Sequence, residues 1–501
     1  MSGVRGAGTT DGMRAVRGAF GFSLAHRYAE AILRIAVLMA LSRFVGPEGF
    51  GAFAVAWGIA HLLSSACQES VIAWVVRSDE AAEPSLRGPL IVSAAAAAVC
   101  GLSLFTFARP LAAFTGVPQA EGPFRILSVM FLVLPLQACF VGLLRRRLAF
   151  HLIAIIGVSA VFLGGVVSVS TGALGWQENA IAAGAAAEVS ALAIGAMIAA
   201  WSGWQLARLP GAPLGEVARF CAQVSAGNIL SELGKLTATL ATARFLGPTA
   251  AGLYDRARRV TWTFGDLVLN VVSPVVLPAL AEAKRAGRGF AQAYLFKLHA
   301  LSAAAWPFFA ALAIAAEPVV RVLLGPDWLE AVPLVRAACL FGLPLPFHVT
   351  DTPFLIASGQ ERAYLRIQAV TQALTLVLVL AAAQVSVAMV FVAYALGKVA
   401  KAIMTTQVLA GSFGLSPRDV LGAVAKSVLV AGGVALGAWA VQLSLPASDA
   451  WADALVNVAA TGLVCGVSLI AMVLLTGHPV REEAGAALRH GAERLGLTLS
   501  R

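Results

Sequence analysis

Windows of about 20 mainly apolar residues, the length that crosses ~30 Å of hydrocarbon, follow one another along nearly the whole chain. Hydrocarbon offers nothing to an unpaired N–H or C=O, so such segments must become helices or a closed barrel. The short alternation of apolar and polar residues that marks barrel strands is missing from the sequence, which leaves helices. A water-soluble core is ruled out by composition. Of 501 residues, 59% are hydrophobic and 12% charged, against roughly 45–50% and about 25% in soluble domains. The expected fold class is an all-α polytopic membrane protein.

Fourteen spans are expected, give or take one, over 19–41, 51–76, 88–108, 123–144, 151–172, 179–201, 220–243, 256–280, 293–316, 332–357, 364–384, 386–411, 420–445 and 455–476. They group as a tail over 1–18, a six-helix lobe over 19–201, a linker over 202–219, a second lobe over 220–411, two further helices within 412–476 and a tail over 477–501. The first span is too long and too charged to be a cleaved signal peptide. The segment PVVRVLLGPDWLEA at 318–331 is too short and polar to span, and is expected to lie at the outer interface or turn back on itself. Beyond Pro479 the tail mixes alanine, leucine and charge, as a surface amphipathic helix would.

Loop charges set the orientation. Alternate loops carry Arg145, Arg146 and Arg147, then Arg208 and Arg219, then Lys284, Arg285 and Arg288, then Arg362 and Arg366. The loops at 172–179 and 446–454 carry no Lys or Arg. By the positive-inside rule both termini are cytoplasmic. The formal net charge of +10 is therefore topological, and no nucleic-acid partner is expected. Six cysteines, Cys67, Cys100, Cys139, Cys221, Cys339 and Cys465, lie scattered in apolar stretches, without the spacing of a disulfide framework or a metal cluster.

One pattern occurs twice. SRFVGPEGFGAF at 42–53 returns as ARFLGPTAAGLY at 243–254, with Arg43 on Arg244, Phe44 on Phe245, Gly46-Pro47 on Gly247-Pro248 and Gly51 on Gly252. Each copy reads as the turn between two membrane helices, with Gly-Pro ending the first and the later glycine admitting a close neighbour. Six spans separate the copies, so the two halves share one orientation and their symmetry axis is expected along the membrane normal. The second copy is followed by Asp255, Arg256, Arg258 and Arg259. On the outer side these residues read either as a cationic mouth or as a cluster neutralised by Asp255.

Charges inside spans are the candidate functional residues. At a helix centre Lys, Arg or Asp costs about 2.5–3.5 kcal/mol, whereas Leu, Ile, Phe or Val returns only about 0.3–0.6. Arg27, Glu30 and Arg34 fall on one face of the first span at i, i+3 and i+7, and against lipid they would cost on the order of 8–10 kcal/mol. The repeat carries Arg34 onto Lys235 in the seventh span, where Asn228 and Glu232 share its face. Two readings stand: a shared cationic cavity near the pseudo-twofold axis, or structural pairs such as Glu30 with Arg34. Arg259, Asp266 and Asn270 form a further stripe in the eighth span. Glu69, Glu188, Asp351, Lys398 and Lys401 also lie in or near apolar segments, with the two lysines placed to snorkel. His61, with Ser65 and Gln68 on its face, reads as a proton relay or a packing residue.

No enzyme chemistry emerges. There is no Walker A loop, HExxH, paired CxxC or nucleophile elbow in the sequence, and no cofactor or metal is expected.

SRFVGPEGFGAF with its following helix, ARFLGPTAAGLYDRARRV with VVSPVVLPALAEAKR, and LLGPDWLEAVPLVRAACLFGLPLPF with LIASGQERAYL resemble, in this order, the polysaccharide flippases. These are the Wzx-type and exopolysaccharide exporters of the multidrug/oligosaccharidyl-lipid/polysaccharide superfamily. The resemblance implies two six-helix lobes working by alternating access in the bacterial inner membrane. The implied substrate is an oligosaccharide repeat unit on undecaprenyl pyrophosphate. The implied partners are membrane lipid, a coupling cation (H+ or Na+) and the polysaccharide polymerase and export machinery. In relatives the cavity is cationic; the positions here that fit are Arg27, Arg34, Lys235 and Arg259, with Arg258 beside them and Glu30, Glu232 and Asp266 as polar neighbours. The alternatives are a lipid-linked peptidoglycan precursor flippase, a drug or cation antiporter, and a membrane-embedded polymerase or ligase, for which no large outer loop is visible.

The orientation is directly testable with reporter fusions. Alkaline phosphatase fused after Gly175 should be active and the same enzyme fused after Arg147 inactive; the opposite pattern would invert the topology.

Overall fold

The computed structural model describes residues 29–77, 86–200, 214–264, 290–349, 351, 354–355, 358, 360–445, 450–479 and 481, apart from the side chains at 227, 228, 230, 231, 235, 263, 264 and 361. Within them every regular element is a helix. The chain forms two compact units, Met1–Asp255 and Arg256–Arg501. The first holds α1 (29–41), α2 (Pro47–Arg77), α3 (Arg87–Thr106), α4 (Ala108–Thr115), α5 (Glu121–Ser128), α6 (Leu134–Arg146), α7 (Phe150–Ala173), α8 (Glu178–Ala200), α9 (Leu214–Leu246) and the start of α10 (Pro248–Phe264). The second continues with α11 (Phe290–Ile314), α12 (Ala316–Leu323), α13 (Val332–Ala338), α14 (Leu345–His348), α15 (Glu361–Ala382), α16 (Val387–Phe413), α17 (Pro417–Ser444) and α18 (Trp451–Leu475).

Among the described residues nine helices are long and apolar enough to cross a membrane, and a tenth span results if the bent pair Pro118–Leu132 and Leu134–Arg146 counts as one. This is compatible with fourteen. On α18, Leu463 is 70% exposed and Leu475 80%, a surface that only lipid can cover at little cost. The tail beyond 481 lies outside the described residues, as do Arg208 and the rest of 202–213 from the expected linker, whereas 214–219 already belong to α9.

The spans expected at 123–144 and 332–357 are broken. Helix α5, a 3-10 turn at Val129–Leu132 and α6 replace the first, with a 50° bend. Helix α13, a 3-10 turn at Cys339–Gly342 and α14 begin the second. Prolines cause both breaks: Pro135 sits at the start of α6, and Pro344 and Pro346 sit at the start of α14, where a missing N–H is tolerated but an uninterrupted helix is not. The two series share their order. In each, a short helix (α4 or α12) ends near a left-handed glycine, Gly116 (φ 76) or Gly325 (φ 100). A 3-10 turn then starts at Pro118 or Pro326, followed by helix, 3-10 turn and helix. The internal repeat therefore extends well beyond the Gly-Pro motif.

The motif itself is built differently from its expected form. Helices α2 and α10 begin at Pro47 and Pro248 rather than at 51 and 256, because proline fits the first helical turn, where its lost N–H has no partner anyway. Four residues on, Gly51 and Gly252 meet. A Cβ on Gly51 would lie 1.8 Å from the carbonyl oxygen of Pro248, and one on Gly252 would lie 1.9 Å from that of Pro47. The contact is reciprocal, as two copies related by a twofold would make it.

Below this crossing α2 and α9 run antiparallel. Gly58 receives Leu236, where a Cβ would come within 2.3 Å of its Cδ1, and Ser225 Oγ donates to the carbonyl of Ala66 (2.5 Å). Val71, Ile72 and Val75 of α2, Phe140 and Leu144 of α6, Ala196 of α8 and Val217 of α9 share one core. In the second unit Tyr294 and Leu298 of α11 pack with Phe354, Leu409 of α16 and Val424 of α17. The end of α18 is tied to α17 and α11 through Ser302 to Ser427 (2.7 Å) and Ser427 to His478 Nε2 (3.0 Å). Burial, with His299 and Lys426 near, holds the His478 imidazole below its ordinary pKa and so neutral. All six cysteines are free, four of them buried.

The crossing predicts asymmetric tolerance of alanine. Gly51→Ala or Gly252→Ala pushes against backbone, and should cost about 3 kcal/mol, the upper end for overpacking. Gly432→Ala, with nothing within 4 Å of its Cβ position, should be neutral or slightly stabilising. Thermal unfolding in detergent checks both; equal tolerance at the two kinds of site would contradict the crossing.

Candidate functional site

Two adjacent glycines on α7 build the first polar group. Gly164 admits the stem of Glu188 from α8, where a Cβ would meet that of Glu188 at 2.7 Å. Gly165 admits Val37 of α1, with Cγ2 2.4 Å from the same hypothetical position. Glu188 and the face of α1 are thereby set side by side, and Arg34, one turn before Val37, reaches across. Its Nη2 donates to Glu188 Oε1 (2.7 Å) and to Glu30 Oε1 (2.8 Å), and its Nε donates to Glu30 Oε1 (3.0 Å). The side chains are 48% exposed for Arg34 and 30% for each glutamate.

The sequence left a cationic cavity and a structural pair as alternatives. The structure gives Arg34 a carboxylate from its own helix and a second from α8. The group is not dry. A half-exposed guanidinium in a membrane helix must face water or protein rather than lipid. Glu188 stood out in the sequence only as one charge in an alanine-rich span; nothing there named its partner.

The second polar group joins α2 to α9. The Gly58–Leu236 contact brings His61 Nδ1 to 3.8 Å from Glu232 Oε2. Trp57, one turn earlier, stacks on Phe53 with ring centroids 5.9 Å apart and meets His61 edge-on at 5.8 Å. By helical rise, Arg34, His61 and Glu232 each lie about 20 Å along their helices from the Gly-Pro turns. All three thus stand at a similar distance from the turns, and Glu30 and Glu188 join Arg34 there.

The other expected residues divide. Lys235 lies on α9 with its side chain outside the described residues, and Arg27, Asp266, Asn270, Pro274 and Pro278 lie outside them altogether. Asp255 and Arg256 are buried, at 5% and 4% exposure, Arg258 is half-buried and Arg259 exposed. The loop-borne arginine mouth is thus corrected: α10 starts at Pro248, so these residues stand two to three turns inside a helix. Arg256, Arg258 and Arg259 belong to the second unit.

The second unit also contains a pair of which the sequence singled out only Asp351. Lys297 Nζ on α11 donates to Asp351 Oδ1, with both residues buried. The ammonium lies 4.8 Å from the Tyr294 ring centroid and 5.8 Å from that of Phe354. The signal was available as a lone lysine in the apolar run YLFKLHAL. Lys398 sits over the Tyr394 ring at 4.7 Å.

Residues 40–333, more than half of the chain, match a family described as polysaccharide biosynthesis protein. The chain is similar to the succinoglycan biosynthesis transport protein ExoT of Rhizobium meliloti (strain 1021), 26% identical over 347 residues, covering 68% of this chain and 69% of that protein. It is similar also to the lipopolysaccharide biosynthesis protein WzxC of Escherichia coli (strain K12), 23% identical over 326 residues, covering 62% and 63%. In fold it resembles the lipid II flippase MurJ in an inward closed conformation, with a TM-score of 0.69 at 12% identity over 91% of this chain and 99% of that one. An inward-facing MATE family multidrug transporter of the MOP superfamily gives 0.55 at 15% identity, over 77% and 96%.

The buried lysine pair has a measurable consequence. Asp351→Asn strands an ammonium and should destabilise the protein by about 3–5 kcal/mol, whereas Lys297→Met with Asp351→Leu should recover most of the loss. Thermal unfolding of the two variants in detergent tests this; equal stability of Asp351→Asn and wild type would contradict it.

Proposed function

This chain belongs to the polysaccharide biosynthesis protein family, and on that premise we propose that it is a secondary flippase. It carries an undecaprenyl-pyrophosphate-linked oligosaccharide repeat unit from the inner to the outer leaflet of the bacterial inner membrane by alternating access, and performs no bond chemistry of its own. The names of its relatives, a transport protein of succinoglycan biosynthesis and a lipopolysaccharide biosynthesis protein, support the glycan. The all-helical fold shared with MOP-superfamily transporters supports the transport mode.

The observation that carries the reading is Arg34: a guanidinium in an apolar span, about half exposed and held in place by carboxylates of two helices. Its planar fork suits a pyrophosphate, which offers oxygen acceptors in pairs. A wet cleft gives the sugars a route that hydrocarbon denies, while the polyprenyl tail stays in lipid. Arg27, Lys235, Arg258 and Arg259 are assigned as further contacts to the phosphates, and Glu232 and Asp266 as polar contacts to the substrate. Glu30 and Glu188, released when Arg34 turns to phosphate, are suited to the coupling cation, H+ or Na+.

Two other cargoes have support of their own. The fold likeness to a lipid II flippase favours a lipid-linked peptidoglycan precursor. The paired carboxylates of Glu30 and Glu188 favour a cationic drug.

A deletion strain separates the three. We expect it to lose surface polysaccharide while growing with a normal wall and normal drug resistance. Arg34→Ala or Lys235→Ala, expressed at wild-type level, should restore less than about a tenth of export. A lethal wall defect, drug hypersensitivity alone, or full export from both variants would overturn the assignment.

A further inference from the structure

We propose that the face of α2 bearing Trp57 and His61, with Glu232 of α9 beside it, is a sugar-reading subsite. It takes a pyranose ring by stacking on the indole and by hydroxyl hydrogen bonds to the imidazole and the carboxylate. The proposal rests on the flippase reading and adds which part of the cargo this face receives.

The arrangement is a supported platform. Phe53, Trp57 and His61 follow at i, i+4 and i+8, so their rings line one helix face. Phe53 is buried at 6% exposure and its ring backs the indole at 5.9 Å. Trp57 is half-buried and His61 exposed, which leaves the upper part of the ladder open to a ligand. The Gly58–Leu236 contact fixes α9 one turn away and sets Glu232 next to the imidazole. An indole presents a flat apolar face with little rotamer freedom to lose. The carboxylate accepts hydroxyl hydrogens, and the imidazole accepts or donates according to its tautomer.

Charge and depth exclude the other uses of such a face. An interfacial tryptophan anchor would sit at a membrane boundary, but Trp57 lies about 15 Å along α2 from Pro47. Contact with hydrocarbon would leave the partly exposed Glu232 facing lipid, which its charge forbids. Exposed Glu69 and half-buried Gln68 continue the polar stripe two turns further along α2, as a path for more than one sugar requires.

Two probes test the proposal on purified full-length protein. One is undecaprenyl pyrophosphate without sugar; the other is the lipid-linked saccharide extracted from a strain lacking the gene. Wild type should bind the saccharide-bearing lipid at least tenfold more tightly. Trp57→Ala and His61→Ala should each weaken that ligand about tenfold and shift the sugar-free lipid less than twofold. Trp57→Phe should recover most of the loss. Unchanged binding of the sugar-free probe also reports that the variants are folded. Equal affinity of wild type for both probes, or variants that weaken both probes alike or neither, would overturn the subsite and leave the flippase reading standing. Failure of wild type to bind either probe would sink both.

Discussion

Close approach of helix backbones at glycine is the constraint on which the first unit depends. Lipid gives no hydrophobic drive for one helix to leave it for another, so packing must come from surfaces that fit at short range. Gly51 and Gly252 let two helix starts cross with their backbones in contact, Gly58 seats α9 on α2, and Gly164 with Gly165 seats α8 and α1 on α7. The last two of these contacts also aim a charge. The seat at Gly58 sets Glu232 beside His61, and the pair on α7 brings Glu188 to Arg34. Packing and site are thus one arrangement, and a side chain added at a seat would displace both.

The polar groups created in this way differ in character. Around Arg34 and along α2 they are partly exposed, whereas Lys297 and Asp351 are almost wholly buried between aromatic rings. A buried neutralised pair holds helices in register, but removing one member is costly, which suits a structural tie. A guanidinium shared by two exposed carboxylates is easier to recruit, since each partner can be exchanged for water or ligand. An anion that takes the guanidinium weakens its hold on both carboxylates, a condition that favours entry of a cation or uptake of a proton.

Much of the fold was legible in the residues. Apolar windows gave the class and the helix positions, and the Gly-Pro motif gave the repeat, because both follow from local chain physics. The two broken spans were missed, although Pro135, Pro344 and Pro346 marked them, since each window remained apolar across the break. Helices start at Pro47 and Pro248, four to eight residues before the apolar windows do, because proline serves here as a first-turn residue and not as a stop. In the site, Arg34 with Glu30 followed from helical spacing. Its contact with Glu188, 154 residues away, depends on how three helices pack, and no periodicity within one segment encodes that. Lys297 is visible as a charge in an apolar run, yet its partner Asp351 lies 54 residues further along the chain.

The central claim is that this chain moves a glycan on a phosphorylated lipid from one leaflet to the other. The most direct measurement follows a lipid-linked saccharide in proteoliposomes made with the purified protein, with a non-penetrating glycosidase outside. The account predicts that the protected half of the saccharide becomes accessible much faster than in vesicles without protein, and faster still under an imposed proton or sodium gradient. A protected fraction that decays no faster than in protein-free vesicles, under either gradient, would contradict it.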